Sequence, residues 1–178
     1  MTGRKKVLAI SGSTRKNSSN QQLINAVAKL FGDDLEIIFF DGLAALPHFD
    51  PDENDHVAVK NFRQKIDDAD GVLICTPEYA HGVPGSLKNA IDWTISTNQF
   101  YHKPTVLITA STDGRFGHNA LLETLKVIEA KNILELNLLI QFVRTKIDGE
   151  KIIDKKTLDE IRLLMQKFIA TINEVRSV

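Results

Sequence analysis

Between an apolar run that ends at Ile10 and a helical repeat that begins near Asn20 lies a segment suited to holding an anion. Residues Ser11 to Asn20 supply five hydroxyls (Ser11, Ser13, Thr14, Ser18, Ser19), the side-chain amides of Asn17 and Asn20, and the guanidinium of Arg15. The segment joins a strand to a helix N-terminus, where unpaired N–H groups and a partial positive charge favour phosphate. Hydroxyls and amides donate further hydrogen bonds, and Arg15 offers a charge-assisted, bidentate contact. Only one glycine, Gly12, lies here, so neither G-x-x-x-x-G-K-[ST] nor G-x-G-x-x-G is present. A hydroxyl-rich loop suits the exposed dianion of a phosphate monoester better than a buried pyrophosphate. The plainer alternative is a solvated loop whose Ser or Asn caps the next helix.

A second segment, Thr76 to Trp93, offers a platform for a planar ring. Pro77 fixes its own φ and Pro84-Gly85 sets a turn before a helix, so the loop between them presents backbone N–H and C=O groups from a rigid frame. His81, in that loop, either stacks near such a ring or is a plain exposed histidine. Lys88 and Asp92 are four apart and pair along one helix face. Trp93 reads as a core or interface aromatic. A third segment, Ser111 to Gly117, carries Gly114 and Arg115; the arginine either attracts a cofactor phosphate or is solvated. Leu46 to Asp52 forms a proline-bounded stretch. Its His48, Asp50 and Asp52, with His56, lack ligand spacing on a fixed element, so no metal site is expected. Cys75 ends an apolar run and reads as a small buried hydrophobe.

The elements that must position these segments alternate regularly. Val7–Ile10, Leu35–Phe40, Gly71–Cys75, Pro104–Ala110 and Ile133–Leu138 read as strands, the continuous apolar runs being those of strands buried on both faces. Helical spacing is found from about Asn20 to Phe31, His56 to Asp67, through Leu87, Ala90, Ile91 and Ile95, around Leu121 to Ile128, and from Lys155 to Val175. A long irregular loop spans Asp41 to Asp55. Alternating βα units with right-handed crossovers give an α/β, doubly wound parallel sheet with helices on both faces, and five strands suit the order 2-1-3-4-5. Ligands bind such a sheet at the carboxyl ends of its strands, beside the switch point between the first and third. The three chemically unusual segments follow strands one, three and four.

The totals agree with one globular domain over 1–178. Lys and Arg number 22 against 23 Asp and Glu, so the net charge of −1 gives no drive toward nucleic acid or an anionic membrane. Met1 to Lys6 precede only four apolar residues, too few for a signal peptide core, and no run approaches a membrane span. A single cysteine suits a reducing cytoplasm.

Gly12-Ser13-Thr14-Arg15-Lys16-Asn17-Ser18-Ser19-Asn20 resembles the G-S-x-R-x-x-S-x-N loop of the NAD(P)H-dependent FMN reductases of flavodoxin-like fold, which include quinone, azo-dye and chromate reductases. Pro77 to Trp93 is similar to the same family's P-E-Y-N-x-[SG]-x-P-G-x-L-K-N-A-I-D-W signature. The resemblance implies that Ser13, Arg15, Ser18 and Asn20 surround the FMN phosphate with help from Ser19. It implies that Pro77, Glu78, Tyr79, Ala80, His81 and Gly82 line the isoalloxazine ring, and that Ser111 and Gly114 reach it from the third loop. Ala80 replaces an asparagine common in the family, and His118 stands where a second consecutive glycine is common. The implied activity passes hydride from NADPH or NADH to bound flavin and then to a small-molecule acceptor such as a quinone, free flavin or azo dye. It needs no catalytic side chain, since the chemistry is the cofactor's. A homodimer or homotetramer is implied, the helix carrying Lys88, Asn89 and Asp92 contributing to subunit contacts. A non-enzymatic FMN electron carrier or redox sensor is the alternative. A phospho-signalling receiver domain would need an acidic cluster where Ser11-Gly12-Ser13 stands.

Overall fold

The computed structural model describes residues 3–53 and 56–175. Five parallel strands, β1 (Lys5–Ser11), β2 (Leu35–Phe40), β3 (Gly71–Thr76), β4 (Thr105–Ala110) and β5 (Asn137–Ile140), form one sheet in the order β2-β1-β3-β4-β5. The crossovers run through α1 (Ser19–Leu30), α2 (Val57–Asp67), α3 (Gly85–Ile95) and α4 (Arg115–Val127), and α5 (Lys155–Val175) closes the fold. β3 and β4 are buried at every residue, as their unbroken apolar runs predict. Beneath one face, α1 and α5 bring Leu23, Ile24, Val27, Ile161, Met165 and Phe168 against the sheet. On the other, α2, α3 and α4 contribute Phe62, Ile66, Leu87, Trp93, Leu121 and Leu125. Each such side chain, fully withdrawn from water, stabilises the fold by about 1.5–3 kcal/mol. Ser11 pairs with Cys75 in the β1–β3 register, so the two strands end level and their loops leave the sheet side by side.

Two elements differ from the sequence-based expectation. The fifth strand starts at Asn137 rather than Ile133. Asn132, at φ 56°, opens a turn whose carbonyl accepts from Glu135 N and Leu136 N. Ile133 and Leu136 are buried while Leu134 is 61% exposed, a spacing of three that belongs to a helical turn and not to a strand. A short hairpin, β6 (Ile147–Asp148) with β7 (Lys151–Ile152), also lies before α5. Within the long loop, Leu43–Ala45 makes a 3-10 turn. The end of that loop at 54–55 and the chain ends at 1–2 and 176–178 lie outside the described residues.

Candidate functional site

The loop after β1 is organised by its own hydroxyls. Ser11 Oγ donates to Ser13 O at 3.2 Å and lies 3.3 Å from Ser13 N, which donates to it. Arg15 N donates to Ser13 Oγ at 3.3 Å, and Tyr79 Oη lies 3.5 Å from the same oxygen. Gly12 N donates to Cys75 O at 2.8 Å, holding the loop against β3. A Cβ on Gly12 would sit 2.1 Å from Thr76 Oγ1, so this approach admits only glycine. Ser18 is the N-cap of α1, its Oγ accepting from Gln21 N at 3.1 Å. The Ser18 O–H and the N–H groups of Ser19 and Asn20, which precede the first intrahelical bond, remain available to an anion.

Asn20 has a structural job besides the one the loop pattern suggests. The residue is 3% exposed. Nδ2 donates to Ala110 O at 3.2 Å, and Oδ1 accepts from Cys75 Sγ at 3.3 Å. The amide thus ties the first turn of α1 to β3 and β4, with one Nδ2 hydrogen committed to Ala110 O, while the residue still lines the cleft. Burial pushes the Cys75 thiol well above its ordinary pKa, in keeping with a structural cysteine.

After β3 the chain makes a tight hairpin. Tyr79 N donates to Gly82 O at 3.1 Å and Gly82 N to Tyr79 O at 2.9 Å. The two central residues, Ala80 at φ 48° and His81 at φ 58°, both occupy the left-handed region, the signature of a type I′ turn. That turn favours Asn or Gly, which gives the asparagine common at position 80 a backbone role. Among the described residues, the Ala80 and His81 N–H groups have no acceptor. His81 stacks on Phe116, the ring centroids 4.5 Å apart at 23°. Glu78 anchors the hairpin. Its Oε2 accepts from Gly117 N at 2.6 Å and its Oε1 from Gly114 N at 3.3 Å, placing the carboxylate at the N-terminus of α4. Glu78 N donates in turn to Ser111 Oγ at 3.3 Å.

These loops enclose a cleft of about 270 Å³. Ser13, Arg15, Ser18, Ser19 and Asn20 form one end, and Pro77, Glu78, Tyr79 and Ser111 form a wall. Ala80, His81 and Gly82 stand beyond that wall at the hairpin tip. Gly114, at φ 89°, lies behind it as the N-cap of α4. Sequence reasoning missed a further side of the cleft, Phe142 to Thr145, which follows β5 and carries no recognisable pattern. Arg115 is held by Asp113 through Nε at 2.8 Å and Nη2 at 3.0 Å, and this guanidinium keeps the Asp113 carboxyl below the usual carboxylate range. His118 is buried between Thr109 Oγ1 at 2.9 Å and Asn137 Oδ1 at 3.1 Å. The Asn137 amide donates to Ile133 O and Leu134 O, so its oxygen faces the ring and His118 carries its proton on Nε2. Burial lowers the pKa of His118. Trp93, 1% exposed, donates from Nε1 to Pro47 O, and Asn89 binds Pro47 O and Phe49 N, clamping the Leu46–Phe49 stretch onto α3.

The residues present fit a flavin mononucleotide. One end of the cleft gathers hydroxyl, N–H and guanidinium donors, and the one carboxylate lining it, Glu78, has both oxygens turned to backbone N–H groups. Nothing there opposes a dianion. The hairpin tip adds two backbone donors without acceptors beside a wall that includes Tyr79, as the polar edge of a ring requires.

A family model described as NADPH-dependent FMN reductase matches residues 5–140. The chain is 31% identical to NADH-dependent flavin reductase subunit 2 of Lactobacillus johnsonii, covering 96% of this chain and 99% of that one. It is 33% identical to 2-hydroxy-1,4-benzoquinone reductase of a Burkholderia species, covering 96% and 98%. Among solved structures, FerB, a flavoenzyme NAD(P)H:(acceptor) oxidoreductase from Paracoccus denitrificans, superposes with a TM-score of 0.78 at 25% identity, covering 96% of this chain and 98% of that one.

Proposed function

The chain belongs to the NADPH-dependent FMN reductase family, and from that membership we propose how its own residues hold the flavin. It is an FMN-dependent NAD(P)H oxidoreductase of flavodoxin-like fold. The FMN phosphate sits on the N-terminus of α1, bound by the N–H groups of Ser19 and Asn20, the hydroxyls of Ser13, Ser18 and Ser19, and the Arg15 guanidinium. Pro77, Glu78 and Tyr79 would hold the ring along their wall, the Ala80 and His81 N–H groups would meet its polar edge, and Gly82 closes the hairpin behind them. Ser111 fixes the wall through Glu78 N, and Gly114 fixes it through the Glu78 carboxylate. FMN held there would supply the chemistry of hydride uptake from a reduced nicotinamide and electron delivery to an acceptor. The protein's part is to orient the ring, to leave one face open, and to supply N–H dipoles where charge develops. No side chain moves a proton in this scheme. The observation that carries it is the set of uncommitted donors at the start of α1, in a cleft whose carboxylate is already satisfied.

The acceptor is a small oxidant such as a quinone or free flavin, as the names of two relatives suggest. We read the chain as a single domain, because one sheet and its two flanking cores include every described helix. A homodimer or homotetramer is favoured by Phe49 and Phe116, which lie outside the cleft lining and are 39% and 53% exposed. Residence in the cytoplasm suits a single cysteine that forms no disulfide, and no described helix is long and apolar enough to cross a membrane. The direct test is an absorbance spectrum of the purified protein after FMN loading, before and after adding NADPH or NADH anaerobically. The flavin band should bleach and then recover on adding a benzoquinone. A protein that takes up no FMN overturns the site. A loaded protein that neither nucleotide bleaches overturns the proposed open face.

A further inference from the structure

We propose that Arg144, on the segment after β5, is the second arm of a guanidinium clamp that closes on the flavin phosphate opposite Arg15. The inference rests on the FMN site described above. Arg15 and Arg144 line the same cleft from different elements, one on the loop before α1 and one on the 3-10 turn Val143–Thr145. Among the described residues neither guanidinium has an acceptor, whereas Arg115 close by is neutralised by Asp113. The remaining charge lining the cleft, Glu78, is turned away to Gly114 N and Gly117 N. Two uncommitted cations lining one cleft that also contains a helix N-terminus raise the potential inside it and favour a dianion over a monoanion or a neutral group.

The segment that carries Arg144 is fixed. Phe142 N donates to Thr112 O at 3.1 Å and Val143 N to Ser111 O at 3.2 Å, tying it to the loop after β4. Val143 and Ile147 are buried in the core on either side of Arg144. Farther along, Glu150 of the β6–β7 hairpin accepts from Asn25 Nδ2 at 2.6 Å and pairs with Lys29, both on α1. The hairpin is thereby pinned to the helix whose N-terminus binds the phosphate. An arginine on a fixed support loses less freedom per hydrogen bond than one on a mobile loop, so its contact contributes more to affinity. The ligand chemistry is a phosphate monoester. FMN carries one at the ribityl end and NADPH carries one on its adenosine ribose, and the clamp is assigned to the first.

The test titrates FMN and, separately, riboflavin into apoprotein, following quenching of flavin fluorescence, for the wild type, Arg15→Ala, Arg144→Ala, Arg144→Lys and the double alanine variant. Removing a charge-assisted contact at a partly wet site should weaken FMN about tenfold in Arg144→Ala, leave riboflavin unchanged, and be partly restored by lysine. The double variant should bind FMN more weakly than either single variant. Four results overturn the clamp: unchanged FMN affinity in Arg144→Ala, an equal loss for FMN and riboflavin, a double variant no weaker than Arg15→Ala, or a rise in KM for NADPH but not NADH with FMN binding intact. The last assigns Arg144 to the nicotinamide cofactor. If the wild type itself does not prefer FMN to riboflavin and Arg15→Ala changes nothing, the phosphate site fails as a whole, a result distinct from failure of Arg144 alone.

Discussion

Replacing Glu78 by Gln tests the electrostatic condition on which the anion site depends. The carboxylate receives Gly117 N at 2.6 Å, a length typical of a charge-assisted bond, and Gly114 N at 3.3 Å. Glutamine has one carbonyl oxygen. If it keeps the short bond, its NH₂ faces the Gly114 N–H, and the α4 N-terminus loses its anion. Losing the charge on the short bond, the longer bond and the helix–charge attraction together should cost about 2 kcal/mol. Urea unfolding of the apoprotein, with m of about 2 kcal/mol/M, would then show a midpoint about 1 M lower at unchanged m. Glu78→Ala, which opens both N–H groups to water, should lower the midpoint by a comparable amount. A Glu78→Gln midpoint within about 0.2 M of the wild type, on that same m, would refute the reasoning. The carboxylate would then be uncommitted, its charge would face the cleft, and a dianion there would be opposed instead of welcomed.

Two further outcomes follow from the loops. Ala80→Asn places a residue tolerant of φ 48° in the type I′ turn and should stabilise the protein by about 0.5–1 kcal/mol, a rise of a few degrees in Tm; a lower Tm contradicts the turn assignment. Burial depresses the folded-state pKa of His118 below its unfolded value of about 6.5. The unfolded chain therefore binds the extra proton first, and the stability held by neutral His118 is full above about pH 6.5 and lost as pH falls toward the folded pKa. Urea midpoints measured from pH 8 to pH 5 should fall less steeply in His118→Gln than in the wild type; equal slopes would show that the ring is not held neutral.

Much of the architecture was legible because its cause is local. Runs such as Val7–Ile10 and Gly71–Cys75 leave no polar face, so they must be interior strands, and alternation with helices makes the sheet parallel, with 2-1-3-4-5 an order that suits five strands. Pro77 and Pro84 bound a loop, and Pro84-Gly85 marks the start of α3. The fifth strand was misplaced because Ile133–Leu138 is apolar at both alternating and three-apart spacings, and the turn opened by Asn132 decides between them through a backbone angle. The β6–β7 hairpin did leave a trace, Ile147-Asp148-Gly149 with Gly149 at φ 53°, a turn signal between two buried isoleucines. Phe142 to Thr145 left none. Those residues reach the cleft only because β5 ends beside β4, a consequence of topology that no local pattern encodes.

Asn20 shows why residue type alone underdetermines a binding loop. An amide in a serine-rich loop before a helix has the donors a phosphate needs, and the same donors suit any buried carbonyl within reach. Position decides. Asn20 points inward in the first turn of α1, over the sheet, where Ala110 O and the Cys75 thiol are the groups left to satisfy. An unpaired amide there would cost about 1–3 kcal/mol, so the tie is strongly enforced. It clamps the start of α1 across the carboxyl ends of β3 and β4, while Ser18 closes the helix from outside. Capping and anion binding are therefore not rivals in this loop. The side chains that lock the helix terminus are what hold the Ser19 and Asn20 N–H groups still, and donors already fixed in place lose little freedom when a phosphate arrives.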